Sequence, residues 1–233
     1  MSRAIVAAAW LAVVVLILIV LVFAAIRVAT DLPYLLAGRS PSPDAFEARY
    51  ATAPWLAYLH IIPGVCYLLG APLQLWRGFR ERHRSVHRAM GRVILPIGVI
   101  SGVFALAFGV PFSFGGAFQS LATAVFGSWF LLCLVLAYAA IRRRDVRMHR
   151  RWMIRGFAVG VGVGTIRLWI GMFSAFTALP IADGFALAFW CGLSMTVVAG
   201  ELWLRWRGER RTASGGARDI RPQRNDRPAR LRG

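Results

Sequence analysis

The chain has 233 residues, of which 58% are hydrophobic and 16% charged, with a formal net charge of +18. The apolar residues come in long unbroken blocks rather than at amphipathic spacing, which excludes an ordinary soluble domain and predicts an all-α, polytopic integral membrane protein. All 28 basic residues are arginine, and most of them lie between the blocks, so the charge reads as a topology signal and not as a nucleic-acid-binding surface.

The first apolar block runs from Ala4 to Ile26. It is longer than the ~7 to 15 residues of a secretory h-region, and so predicts a retained anchor helix over residues 1–29. Residues 30–54 read as an extracytoplasmic loop rich in Pro and Ala. Five further blocks follow, Trp55 to Leu75, Val93 to Pro111, Phe118 to Ala140, Met153 to Phe176 and Gly184 to Leu204. Each is near the ~20 residues needed to cross the hydrocarbon core, giving six transmembrane helices, with residues 55–207 as a five-helix membrane core. Two Arg/His-rich loops, 77–92 and 142–151, interrupt that core. The tail, 208–233, is basic and rich in Gly, Ser, Pro and Asn, and is expected to be disordered against anionic headgroups.

Arginine placement orients the spans. Arg3, six arginines in each Arg/His-rich loop and ten after the last span fall on one side. The opposite connections hold only Arg39 and Arg49, with Arg27 at the border. The positive-inside rule then puts both termini in the cytoplasm, and the expected location is the bacterial inner membrane, as a multi-pass protein.

Cys66, Cys133 and Cys191 all lie inside spans and read as packing residues, with no Cys-x-x-Cys metal signature. Ionisable residues at membrane depth are costly and need partners. Those here are Arg155, Arg167 and Glu201, with His60 about two turns into the second span and Asp183 at the start of the sixth. Glu201 is expected to pair with Arg155 or Arg92. His60, Arg167 and Asp183 are expected to form a polar cluster on the other side, either a functional site or an internal staple. Pro63 removes the donor to the Leu59 carbonyl, and Pro96 does the same to that of Arg92.

The two Arg/His-rich loops begin helices in the same way. His87-Arg88 is followed by Gly98 and Gly102, and His149-Arg150 by Gly160 and Gly164. Offsets of eleven and fifteen residues fall about 20° and 60° from the starting residue, so each histidine stands at the base of a smooth stripe, Gly91, Gly98, Gly102 on one helix and Gly156, Gly160, Gly164 on the other. Zinc on His83, His87 and His149 is disfavoured by the surrounding arginines, which attract anions instead. A b-type haem fits more of these features. His87 and His149 would ligate its iron, the stripes would leave room for the porphyrin, and Arg92, Arg150 and Arg151 would meet its propionates. The competing reading of the stripes is close helix packing.

The stretch from Tyr58 to Trp169 carries Leu-His60-Ile-Ile-Pro-Gly64, His83-Arg-x-x-His87-Arg-x-x-Gly91-Arg92, Arg143-Arg144-Asp145-x-x-x-His149-Arg150-Arg151-Trp152-Met153 and Arg167-Leu-Trp169. In this it resembles the bacterial predicted membrane proteins called domain of unknown function 2306. That resemblance singles out His60, His87, Arg92, His149, Arg150, Arg151 and Arg167, and implies no activity. A fainter similarity runs to cytochrome b561-type membrane electron carriers, in which paired histidines on a four-helix core bind two haems. His87 and His149 are similar to the inner pair of that family. The resemblance implies a small acidic reductant as partner; a quinone near the cytoplasmic face is the alternative to haem. His60 has no histidine partner on span four, where the sequence reads Phe118-Gln119-Ser120-Leu121-Ala122-Thr123, so a second haem has no second ligand.

Two functions follow as expectations. One is a membrane redox protein holding haem between His87 and His149. The other is a non-redox transporter or anionic-lipid-binding scaffold built on His60 and Arg167. No nucleophile elbow, phosphate-binding glycine loop or carboxylate pair argues for soluble enzyme chemistry.

Overall fold

The computed structural model describes residues 3–38 and 48–216, with side chains for residues 4–38 and 48–206. Its elements in chain order are α1 (Arg3–Ala37), α2 (Ala48–Thr52), α3 (Pro54–Leu75), α4 (Arg77–Arg82), α5 (Arg84–Gly109), α6 (Gly116–Arg142), α7 (Val146–Phe176) and α8 (Ile181–Gly216). Among the described residues there is no strand. Six helices, α1, α3, α5, α6, α7 and α8, are long and apolar enough to cross a membrane, so the chain is an all-α, multi-pass membrane protein.

Local sequence sets the boundaries. Pro54 opens α3, where its missing N–H costs nothing and its fixed φ suits a first helical residue. Trp76, with ψ of 120°, separates α3 from α4, and His83 separates α4 from α5. His83 therefore stands between the two helices, outside the helix that carries His87. Arg144 turns the chain through a left-handed φ of 62°. The next residue, Asp145, caps α7 by accepting from the Met148 N–H at 2.9 Å.

Two boundaries differ from those read in the sequence. The first helix continues past residue 29 to Ala37, where Asp31 is the one buried residue and is paired. Asp31, 5% exposed, accepts from Arg27 one turn earlier and from the Tyr58 hydroxyl at 2.9 Å. Hydropathy alone could not distinguish that inward ladder from a loop. The last helix continues past residue 208 to Gly216. The rest of the basic tail, 217–233, and the middle of the first connection, 39–47, lie outside the described residues.

Helices α3, α5, α6 and α7 pack in a ring, with α8 against α7 and α6 and with α1 against α7 and α3. Half of the most apolar stretch of α7 is buried, against 6% of that of α1. In lipid, association rests on close packing and interhelical bonds rather than on water exclusion, and glycines on α7 provide the close approach. A Cβ on Gly164 would lie 2.6 Å from the Leu16 carbonyl oxygen of α1, and one on Gly162 would lie 2.7 Å from Thr196 Oγ1 of α8.

Candidate functional site

Between α1, α2, α3, α5, α6, α7 and α8, at the end away from the Arg/His-rich loops, lies a cavity of about 540 Å³. Its apolar wall includes Phe23, Phe108, Phe126, Phe130 and Phe189. Its polar wall holds Arg27, Arg49, Tyr50, His60, Ser101 and Arg167. No carboxylate lines it among the described residues.

His60 is positioned by a two-way clasp between α3 and α5. Its Nδ1 lies 3.0 Å from the Ser101 carbonyl oxygen, which can only accept, so Nδ1 carries the proton. In return Ser101 Oγ donates to the His60 carbonyl at 2.9 Å. Gly64 permits this approach, since a Cβ there would meet Ser101 Oγ at 2.9 Å. The tautomer leaves His60 Nε2 as a hydrogen-bond acceptor.

Three guanidiniums share the polar wall. Arg27 is tied to Asp31 and stacks on Tyr50, 4.3 Å from the ring centroid. Arg49, on the short helix α2, donates to the Phe112 carbonyl at 3.4 Å and lies over the same Tyr50 ring at 5.0 Å. Burial pushes the Arg49 guanidinium below its ordinary value; Tyr50 opposes this, and the neighbouring charges of Arg167 and Arg27 add to it. Arg167 lies 5.1 Å from the Phe23 ring centroid. Among the described residues no acceptor bonds it.

The structure thus brings His60 and Arg167 to one cavity. Asp183 is exposed at the start of α8 and is not part of the cavity wall. The acidic residue beside the arginines is instead Asp31, which the sequence reading assigned to a loop. Its spacing of four from Arg27 was the available signal.

At the opposite end, Glu201 pairs with Arg155 as expected, through Arg155 Nε to Oε1 at 2.5 Å and Nη2 to Oε2 at 3.0 Å. Arg155 also stacks on Trp152 at 4.6 Å. Arg92 is exposed and takes no part. Arg151 is exposed but near enough to act on the Glu201 charge, and Arg150 is half-buried. His87 and His149 are close enough to interact electrostatically. His149 Nδ1 donates to the Ala137 carbonyl at 2.8 Å, whereas His87 Nδ1 is buried with no hydrogen-bond partner among the described residues. Among the described residues no three His, Cys, Asp or Glu side chains gather as a metal set.

The glycine stripes above these histidines do not leave room for a porphyrin. A Cβ on Gly98 would meet the Tyr67 ring at 2.7 Å, one on Gly102 would meet Leu131 at 2.7 Å, and one on Gly160 would meet Leu68 at 3.2 Å and Tyr67 at 3.3 Å. Leu134, fully buried, lies against both Gly98 and Gly156. The backbones of α5 and α7 are not neighbours. Tyr67 from α3 and Leu134 from α6 fill the space between them, so the stripes serve close packing against side chains of the intervening helices. The residues above the two imidazoles do not fit a haem plane.

A family model described as Predicted membrane protein (DUF2306) matches residues 57–204. No curated protein and no solved structure matches the chain. The matched segment is more than half of the sequence, and the chain belongs to that family.

Proposed function

We propose that this member of the DUF2306 family of predicted membrane proteins binds an amphipathic anion in the cavity and exchanges it with the surrounding leaflet, as a small non-redox transporter or lipid-handling protein. The observation that carries the reading is Arg167, a cation deep in α7 that borders the cavity with no acceptor among the described residues. A charge at such depth is costly until a counter-charge joins it. Arg49 adds a second positive group and the Phe108, Phe126 and Phe130 rings an apolar body. The volume falls in the range of about 300–1,000 Å³ typical of small-ligand sites. An acidic head at the guanidiniums and a chain along the aromatic wall satisfy both halves. His60 Nε2 is available to accept from a hydroxyl on the ligand. With the arginine-rich loops on the cytoplasmic side, the cavity belongs to the extracytoplasmic half of a bacterial inner membrane.

The test is a thermal-shift series in detergent with phosphatidylglycerol, oleate and phosphatidylcholine. The reading expects the two anionic species to raise Tm, phosphatidylcholine to leave it unchanged, and Arg167→Gln to abolish the shift. Equal shifts from phosphatidylcholine, or a full response in Arg167→Gln, would overturn it.

A further inference from the structure

Three buried polar atoms of uncharged side chains lack a hydrogen-bond partner among the described residues: Tyr67 Oη, Gln74 Nε2 and His87 Nδ1. They are not scattered. His60, Tyr67 and Gln74 are spaced by seven and seven on α3, a spacing that returns to nearly the same helix face and advances about 10 Å each time. Tyr67, 2% exposed, also borders the cavity where His60 sits. Gln74, 7% exposed, carries the line toward α5, where its Oε1 would be 3.6 Å from a Cβ on Gly91. Gly91 is one turn from His87, and His87 interacts with His149. Arg80 and Arg88 are the other charges acting on His87. One row of polar groups therefore runs from the cavity to the arginine-rich end.

Buried polar groups are almost always bonded, to protein or to ordered water. An axial step of about 10 Å between successive groups takes about three waters at ordinary hydrogen-bond spacing. A phenol can accept on one side and donate on the other, and a carboxamide can orient waters on both sides. Both terminal imidazoles with fixed tautomers, His60 and His149, carry their proton on Nδ1 and present Nε2 as an acceptor.

We propose that this face of α3 is a hydrated proton path joining the cavity to the His87 and His149 pair. A proton is taken up at an imidazole nitrogen at one end. It is passed along by successive breaking and making of O–H bonds in water and Tyr67, and leaves from His60 Nε2 into the cavity. An N–H bond forms and breaks at each imidazole, no bond other than these N–H and O–H bonds changes and no redox partner is needed, so each proton moved carries one charge across. The inference stands on the three partnerless atoms and does not need Arg167 to hold an anion.

The experiment uses the full chain in liposomes with an entrapped pH-sensitive dye and a potassium diffusion potential. Wild type is expected to acidify the lumen faster than protein-free vesicles. Tyr67→Phe keeps the ring against Phe130 and removes only the hydroxyl, so it is expected to lower the flux about tenfold, the effect of losing about one hydrogen bond from the barrier. Gln74→Met is expected to do the same and carries the test if Tyr67→Phe fails to fold. Tyr138→Phe, on an exposed face of α6, is expected to conduct as wild type does. Wild-type flux no greater than that of empty vesicles, or undiminished flux in a folded Tyr67→Phe or Gln74→Met protein, would overturn the path. Lost proton flux in Gln74→Met, a residue outside the cavity wall, with the anionic-lipid Tm shift retained separates this inference from the proposed function.

Discussion

Ser101 and His60 hold each other's backbone, the imidazole Nδ1–H donating to the Ser101 carbonyl at 3.0 Å and the hydroxyl donating to the His60 carbonyl at 2.9 Å. Ser101→Ala removes one of the two bonds and is expected to cost about 1 kcal/mol. Gly64→Ala forces the hydroxyl aside from 2.9 Å and is expected to cost ~1–3 kcal/mol. The double variant should cost less than the sum, because deleting the hydroxyl makes room for the new methyl. Thermal unfolding of the four proteins in one detergent checks this; strict additivity contradicts it.

Arg155 and Glu201 couple α7 to α8 near the arginine-rich end, with side chains 15% and 32% exposed. Partial exposure tempers the energy, and a double-mutant cycle with Arg155→Gln and Glu201→Gln is expected to give a coupling of about 0.5–2 kcal/mol. A coupling of zero would mean that the pair does not bind the two helices together.

Two glycines make opposite predictions for one substitution. A Cβ on Gly98 meets the Tyr67 ring at 2.7 Å, while a Cβ on Gly171 meets nothing within 4 Å. Gly98→Ala is expected to destabilise by ~1–3 kcal/mol through overpacking. Gly171→Ala is expected to stabilise by about 0.5–1 kcal/mol, as alanine does in an open helical position. Both are read from the same unfolding curves.

Because Tyr67 and Leu134 occupy the space between the glycine stripes, the protein purified from haem-replete cells is expected to show no Soret band and no reduced α and β bands after dithionite. A spectrum with those bands, lost in His87→Ala or His149→Ala, would show that the bundle opens at these side chains and would restore the redox reading.

The spans, their number and the Glu201 partner were legible in the sequence because burial in a bilayer demands long apolar runs and paired charges. The start of the cavity was legible too, in His60 and Arg167. What was not legible depends on neighbours that spacing cannot supply. Asp31 looked like a loop residue because its partner Tyr58 lies on another helix. The glycine stripes looked like room because the sequence does not reveal that Tyr67 and Leu134 enter them. Tyr67 and Gln74, uncharged and outside any motif, were not singled out, although their spacing of seven from His60 and from each other was there to be read.

The polar wall of the cavity is built with arginine, and the chain has no lysine anywhere. A guanidinium keeps its proton across the whole physiological range, so Arg167 and Arg49 cannot be switched off by acid or mild base. Any pH dependence in how this cavity captures or releases an acid must then come from the guest's own ionisation or from His60. A phosphate diester guest, charged at every working pH, would be held alike throughout, while a fatty acid would let go as its carboxylate takes up a proton.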